Sequence, residues 1–591
     1  MDTITNKKED IRFFEILGDT GSFKLEWELE ELEEGLRIFS LSLRSKELAV
    51  IPPFKLLYNM PGVDIQGVWH PNALHDKRLR ADWESPSLGA RVSVGAPAIN
   101  LFGHKDQNRL TLACSDSVNL VLLEAPVREE DNLVYASLSL FSEPLEPTYS
   151  YSCKILIDNR DIPFYQAIQG VSAWWNEMEE LKAPPAPASA FDAVYSSWYS
   201  YHQNLDHQQL LKECRASYEM GYRTIILDDG WQTKDNNRGY DFTGDWKAER
   251  LTALGELVEE IHEMGMKVLL WYSVPFCGVK SEAYQRFKGK FLTENHRWAP
   301  VFDPRYPEVR KYLVDTYAQA LQNWKLDGFK LDFIDDFKVY PETPEGKADG
   351  RDFASVYQAT DQLLKEVYIR LTEIKEDVLI EYRQQFIGPS MQKYANMFRA
   401  FDCPNDAVTN RMRTTDVRLL NAEAAVHSDM ITWHYTEAVE IAARQFSNIL
   451  FSVPQISVRL DEIPADHKEM LRFYTQFWLE RRELFMFGEF SVKNPLANYS
   501  LQSARIGLHR VFVVYGDQVI NWEADLAKID VVNGGQKDEL YCKFETAGIS
   551  YQLNIYDCKG LCLQEEVIHA KKEIQALSVP VSGIATLEVL R

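Results

Sequence analysis

Between residues 189 and 490, eight short apolar runs alternate with stretches of helical character, and no other feature restricts the fold so tightly. The runs are Val194–Trp198, Thr224–Asp228, Lys267–Trp271, Gly328–Asp332, Val378–Tyr382, Met397–Asp402, Ala425–Asp429 and Asn448–Val453. Between them lie Asp206–Met220, opened by an Asp cap and closed by Gly221, then Leu254–Met264, Pro307–Trp324 and Phe353–Thr372. The connection after the fifth run holds only a short helix. Neighbouring parallel strands need a long crossover, usually a helix. Repeated strand–helix units over about three hundred residues therefore predict a closed (β/α)8 TIM barrel.

The flanks read differently. From about residue 10 to 160, pieces such as Ser22–Trp27, Asn119–Leu123 and Tyr135–Phe141 have strand character between turn-rich segments. The interval Asp64–Trp83 reads as a long loop. A helix over Phe164–Leu181 and the stiff Pro/Ala linker Ala183–Ala188 follow. Past residue 490, Arg510–Tyr515 and Tyr551–Tyr556 read as strands, with a turn at Asn533–Gly535. The expected fold class is multidomain, α/β plus all-β. Residues 1–165 form an N-terminal β-sandwich, 166–188 the helix and linker, 189–490 the barrel, and 491–591 a C-terminal antiparallel β-sandwich.

Charge and composition exclude several functions. The chain carries 64 Lys and Arg against 88 Asp and Glu, a net charge of −24. Nucleic acids and anionic membranes are bound by clustered cations, so neither is an expected partner. A small neutral substrate suits this balance, and a homo-oligomer is left open. The eight cysteines are scattered without a Cys-x-x-Cys zinc framework, and the 12 histidines are dispersed. No metal or cofactor is expected. No Gly-x-Ser-x-Gly or His-Glu-x-x-His motif is present. The first ten residues lack an apolar run, and no apolar run is long enough for a membrane span, so a cytoplasmic protein with reduced thiols is expected.

Barrel chemistry sits where strands run into the following loops. Those positions hold Asp228, Asp229, Gly230 and Trp231 after the second run, Trp271 after the third, and Lys330 and Asp332 on the fourth. Glu381 and Arg383 end the fifth. Arg399, Asp402, Cys403, Asn405 and Asp406 follow the sixth, and His427, Ser428 and Asp429 the seventh. Lys330 and Asp332 share one strand face. A structural ion pair is the bland explanation. The sharper one is a carboxylate kept ionised by its neighbour. Two isolated carboxylates amid aromatic groups suit glycoside hydrolysis, one ionised and one protonated.

Asp228-Asp229-Gly230-Trp231, Lys330-Leu331-Asp332 and Phe398–Asp406 resemble glycoside hydrolase family 36, mainly α-galactosidases. The resemblance implies a retaining exo-α-galactosidase acting on terminal α-galactose of small neutral oligosaccharides. Related alternatives are a raffinose-type galactosyltransferase and an α-N-acetylgalactosaminidase. A non-catalytic sugar-binding protein is the alternative from another class. By this likeness Asp332 matches the nucleophile and Asp402 the acid/base, whose pKa is expected to be raised. Arg399 and Asp402 are three residues apart where some members have four, which leaves Asp406 as a second acid/base candidate. Asp228 and Asp229 match the carboxylates on the sugar's 4- and 6-hydroxyls. Trp271 matches an aromatic wall, and Lys330 and Arg399 match cationic sugar contacts. Trp231 and Asp429 complete the expected sugar site. Trp69 is the candidate for a tryptophan that the N-terminal domain brings to the pocket.

Overall fold

The computed structural model describes residues 3–5, 12–71, 74, 76–143, 145–237, 240–421 and 423–590, with eight parallel strands at its centre. They are β1 (Val194–Ser196), β2 (Thr224–Leu227), β3 (Lys267–Ser273), β4 (Gly328–Asp332), β5 (Leu379–Arg383), β6 (Met397–Arg399), β7 (Ala425–His427) and β8 (Gln455–Ile456). The hydrogen-bonded order is β7-β6-β5-β4-β3-β2-β1-β8. Parallel bridges from His427 to Val453 and from Ile431 to Ile456 close the sheet into a barrel. Register sets Trp271 beside Lys330, Lys330 beside Glu381, Ser273 beside Asp332, and Arg383 beside Arg399. One shared face thus carries a layer of ionisable groups up three adjoining strands.

Local chemistry explains most of the elements. The helix His207–Met220 begins where the Asp206 side chain accepts from Gln209 N at 3.0 Å, and it ends at Gly221 with φ +110°. Asn448–Val453 is not the eighth strand. The helix Val439–Ser447 runs into turns there, with Ile449, Leu450 and Phe451 buried; Val453 makes a single bridge, and the strand itself starts after Pro454, which has no N–H to give. A short apolar run has the same appearance in a buried turn as in a strand. Strands β1, β2, β6 and β7 also stop earlier than expected. Asp228, Asp402 and Asp429 consequently lie in the loops just beyond the strands.

Two six-stranded sheets pack face to face before the barrel. The interval Asp64–Trp83 is not all loop, because Gly67–Trp69 pairs with Ala98–Phe102. After the barrel, a seven-stranded and a three-stranded sheet are antiparallel except for two pairs. His509–Val514 runs parallel to Lys528–Asn533, and Val519–Trp522 parallel to Leu540–Phe544. One continuous apolar core joins the barrel to Trp69 and Phe102 on one side and to Phe490 and Val513 on the other. Among the described residues, no helix is long and apolar enough to cross a membrane.

Candidate active site

Asp332 ends β4. The next residue, Phe333, has φ +64°, so the chain turns sharply away from the sheet. Oδ1 of Asp332 accepts from Phe333 N at 2.7 Å and from Arg383 Nε at 2.5 Å. Oδ2 accepts from Trp271 Nε1 at 3.0 Å. Burial pushes this carboxyl's pKa up, but Arg383, Lys330, the Trp271 hydrogen bond and Arg399 together outweigh it and hold the pKa down at about 2. Lys330 therefore acts at a distance. Its Nζ is bonded to Asp228 Oδ2 at 2.7 Å, and the guanidinium against Asp332 is that of Arg383.

Asp228 and Asp229 follow directly where β2 breaks into its loop, and they have different partners. Asp228 N donates to Ser197 Oγ at 2.9 Å, which turns the Asp228 side chain in toward Lys330. Asp229 accepts from Gln203 Nε2 at 2.8 Å and Gln232 Nε2 at 2.7 Å. Burial, and secondarily the Asp228 charge, raise the pKa of Asp229 to about 6 against those amide hydrogen bonds.

Arg399 at the end of β6 gathers three carboxylates. It pairs with Asp402 at 2.9 Å, with Asp429, and with Glu381 at 3.6 Å. Asp429 also accepts from Cys403 N at 2.7 Å and Tyr199 Oη at 2.9 Å, so it locks the loop that carries Asp402. The Asp402 side chain is 42% exposed, whereas that of Asp332 is 9% exposed. The expected upward shift of Asp402 is not found. Burial raises its pKa, but Arg399, Lys330 and Arg383 outweigh burial and leave it below the ordinary value. Asp406 instead caps the helix Ala407–Leu420, accepting from Thr409 N at 3.0 Å and Thr409 Oγ1 at 2.6 Å.

Aromatic rings enclose the cluster. Tyr240 lies over Trp271 with ring centroids 6.0 Å apart and packs edge-on against Phe333 and Trp298. Burial, then the charges of Asp229, Asp332, Asp228 and Asp402, keep the Tyr240 phenol protonated, so it lies within electrostatic reach of all four carboxylates. Trp231 is not part of this lining. It is fully buried behind the site, donates Nε1 to Trp271 O at 2.9 Å and packs on Trp246 and Trp324. Trp69 is remote from the site. Its Nε1 donates to Asp416 Oδ1 at 2.9 Å and Tyr499 Oη at 3.0 Å, deep along the helix that Asp406 caps.

The N-terminal domain does reach the rim, through other residues. Gly95 N donates to Gln385 O at 2.6 Å, and Ser93 Oγ to Phe337 O at 3.4 Å. Sequence reasoning named Arg383 at the rim without giving it a role, and it passed over Tyr199, Gln203 and Tyr240. Only Arg383 carried a signal, its place at a strand end. A cavity of about 1000 Å³ lies elsewhere, bordered by Tyr165, Phe191, Arg418 and Phe487. Its Arg418 is spent on the backbone carbonyls of Phe451, Phe485 and Met486, so the charge cluster and not that volume marks the candidate site.

Residues 189–390 match the Melibiase family model. The α-galactosidase AgaA of Geobacillus stearothermophilus is 21% identical over 220 residues, 34% of this chain and 30% of that protein. The A type blood α-D-galactosamine galactosaminidase of Flavonifractor plautii is 24% identical over 196 residues, 29% of this chain and 17% of that protein. These alignments thus span less than a third of either relative. Among solved structures, a family 36 AgaA variant bound to raffinose superposes with a TM-score of 0.68 at 15% identity, covering 98% of this chain and 83% of that one. The α-galactosidase TtGalA of Thermus thermophilus with stachyose gives 0.53 at 15% identity, over 76% and 99%.

Proposed function

We propose that this chain, a glycoside hydrolase family 36 relative with a melibiase-family domain at residues 189–390, is a retaining, exo-acting α-galactosidase. What carries the reading is the unequal setting of Asp332 and Asp402. Asp332 is enclosed and held ionised, the state a nucleophile needs. Asp402 is open to solvent, the state a group that exchanges protons with water needs. The Lys330–Asp228 pair beside them is buried, which suits a site that takes a terminal sugar.

In the first step Asp332 attacks C1 while the proton of Asp402 passes to the departing oxygen. Asp402 is mostly ionised at rest. A sugar that displaces water from it raises its pKa and lets it carry that proton. In the second step Asp402 takes a proton from water, the water oxygen attacks C1, and Asp332 leaves. Asp228, Lys330 and Asp229 are assigned to the 4- and 6-hydroxyls, and Trp271 to the apolar sugar face. The α-N-acetylgalactosaminidase and galactosyltransferase alternatives share this architecture.

The test is nitrophenol release from the α-galactoside, set beside the α-glucoside and the α-N-acetylgalactosaminide. A hydrogen bond to a charged group is worth about 1.5–3 kcal/mol. The galactoside should therefore lead the glucoside by roughly one to two decades in kcat/KM. The first sugar released should be the α-anomer, read by proton NMR. Equal rates on the glucoside, or a β-anomer, would overturn the assignment.

A further inference from the structure

The ion pair at the end of β4 has more in it than a charge for the nucleophile. Oδ1 of Asp332 is doubly occupied, by Phe333 N and by Arg383 Nε, while among the described residues Oδ2 holds only Trp271 Nε1. Arg383 is itself fixed. Its Nη1 donates to Gln384 O at 2.8 Å, and its Nη2 stands 3.5 Å from Asp335. The rings of Phe401, Phe333 and Phe386 lie 4.7–5.2 Å from the guanidinium carbon and keep it dry. Lys330 cannot take its place, because it is committed to Asp228.

We infer that Arg383 is a positioning residue in the double displacement proposed above: it reserves Oδ2 of Asp332 for attack and stabilises Oδ1 as the carboxylate leaves. The inference rests on that reading of Asp332. In glycosylation, an Oδ2 lone pair forms the bond to C1, and the C1–oxygen pair goes to the leaving group with the proton of Asp402. Negative charge on Asp332 falls during this step, so a cation on Oδ1 favours the ground state. In deglycosylation, water attacks C1 as Asp402 takes its proton, and the C1–Oδ2 pair returns to Asp332. Charge now grows on the carboxylate, and Arg383 with Phe333 N stabilises it in place, without reorganisation. A carboxylate held this way is a modest nucleophile and a good leaving group. The ordinary alternative is an ion pair that only ties β4 to β5.

The experiment is pre-steady-state nitrophenol release from an activated aryl α-galactoside by the full-length enzyme, Arg383→Gln and Arg383→Lys. Active sites are counted by labelling with 5-fluoro-α-galactosyl fluoride and locating the adduct by mass. Failure to label Asp332 in the unmodified enzyme would overturn the proposed function, and the Arg383 result is read only on enzyme that labels there. The unmodified enzyme should show no burst, since its intermediate breaks quickly. Arg383→Gln should show a burst of about one equivalent per labelled site, with kcat lowered roughly tenfold to a hundredfold and kcat/KM changed far less. Its acid limb of kcat/KM should move to higher pH, because Asp332 loses the cation that favours ionisation. Arg383→Lys should restore part of both effects. A burst in the unmodified enzyme would overturn the inference with no variant needed. So would equal losses in kcat and kcat/KM with an unmoved acid limb, the outcome of a structural tie.

Discussion

In the proposed mechanism Asp402 delivers a proton, yet the cations around it draw that proton off. Its pKa lies below the ordinary Asp value in the resting enzyme. The fraction of protonated Asp402 therefore falls as pH rises through the acid range. On oligosaccharides, whose leaving oxygen needs the proton, kcat/KM should climb as pH drops from 6 toward 4. Asp332, held at about 2, stays ionised across that window. An activated aryl galactoside, which needs no acid, should lack that climb, its kcat/KM following only Asp229, whose pKa of about 6 lies in the window. Asp402→Ala should cost roughly 10²–10⁴-fold on oligosaccharides; on an activated aryl galactoside it should spare glycosylation and slow deglycosylation, and azide should then give the α-galactosyl azide. Asp332→Ala should lose turnover on every substrate, and azide should then give the β-galactosyl azide. Rescue of Asp406→Ala with Asp402→Ala unaffected would move the acid/base to Asp406. Asp332 is singled out in the sequence by its strand end, and Asp402, in the loop after Arg399, by the resemblance. Their partners are not legible there. Lys330 meets Asp228 across 102 residues and Arg383 meets Asp332 across 51, pairings that exist only once the strands lie side by side.

At the scale of elements, β4 and β5 must approach closely for Arg383 to reach Asp332. Gly328 permits this. A Cβ there would lie 1.9 Å from Leu379 O and 2.6 Å from Leu379 C, which is backbone and cannot swing aside. Gly328→Ala should part the strands, with a stability loss of about 1–3 kcal/mol or more, seen as a lower Tm. Catalytic rate should fall as well, although Gly328 lies at the opposite end of β4 from Asp332. Unchanged Tm and kcat would show that strand spacing does not set this pair. The alternation that identified β4 as a strand made its whole span legible, Gly328 to Asp332. Where elements end was less legible. Strand pairing at Asp228, Asp402 and Asp429 gives way to side-chain hydrogen bonds, and local periodicity carries no sign of that competition.

Across the whole molecule, Trp69 stands where all three domains meet. Trp69 and Lys77 come from the N-terminal domain, Asp416 from a barrel helix, and Tyr499 from beyond the barrel. Trp69 Nε1 and Tyr499 Oη both donate to Asp416 Oδ1, and Lys77 Nζ lies 4.0 Å from Oδ2. The sequence placed Trp69 in a loop and resemblance assigned it to the sugar pocket. Contacts joining residues more than three hundred positions apart leave no local trace, so nothing in the sequence opposed that choice. Trp69→Phe separates the two roles. It keeps an aromatic ring in the core and removes one donor from a buried carboxylate. Such a loss costs about 1–3 kcal/mol. The variant should unfold at a lower temperature or denaturant concentration, with the KM for an aryl α-galactoside unchanged. A sugar-contacting tryptophan would behave in the opposite way, with KM raised and stability little altered, and that result would return Trp69 to the pocket.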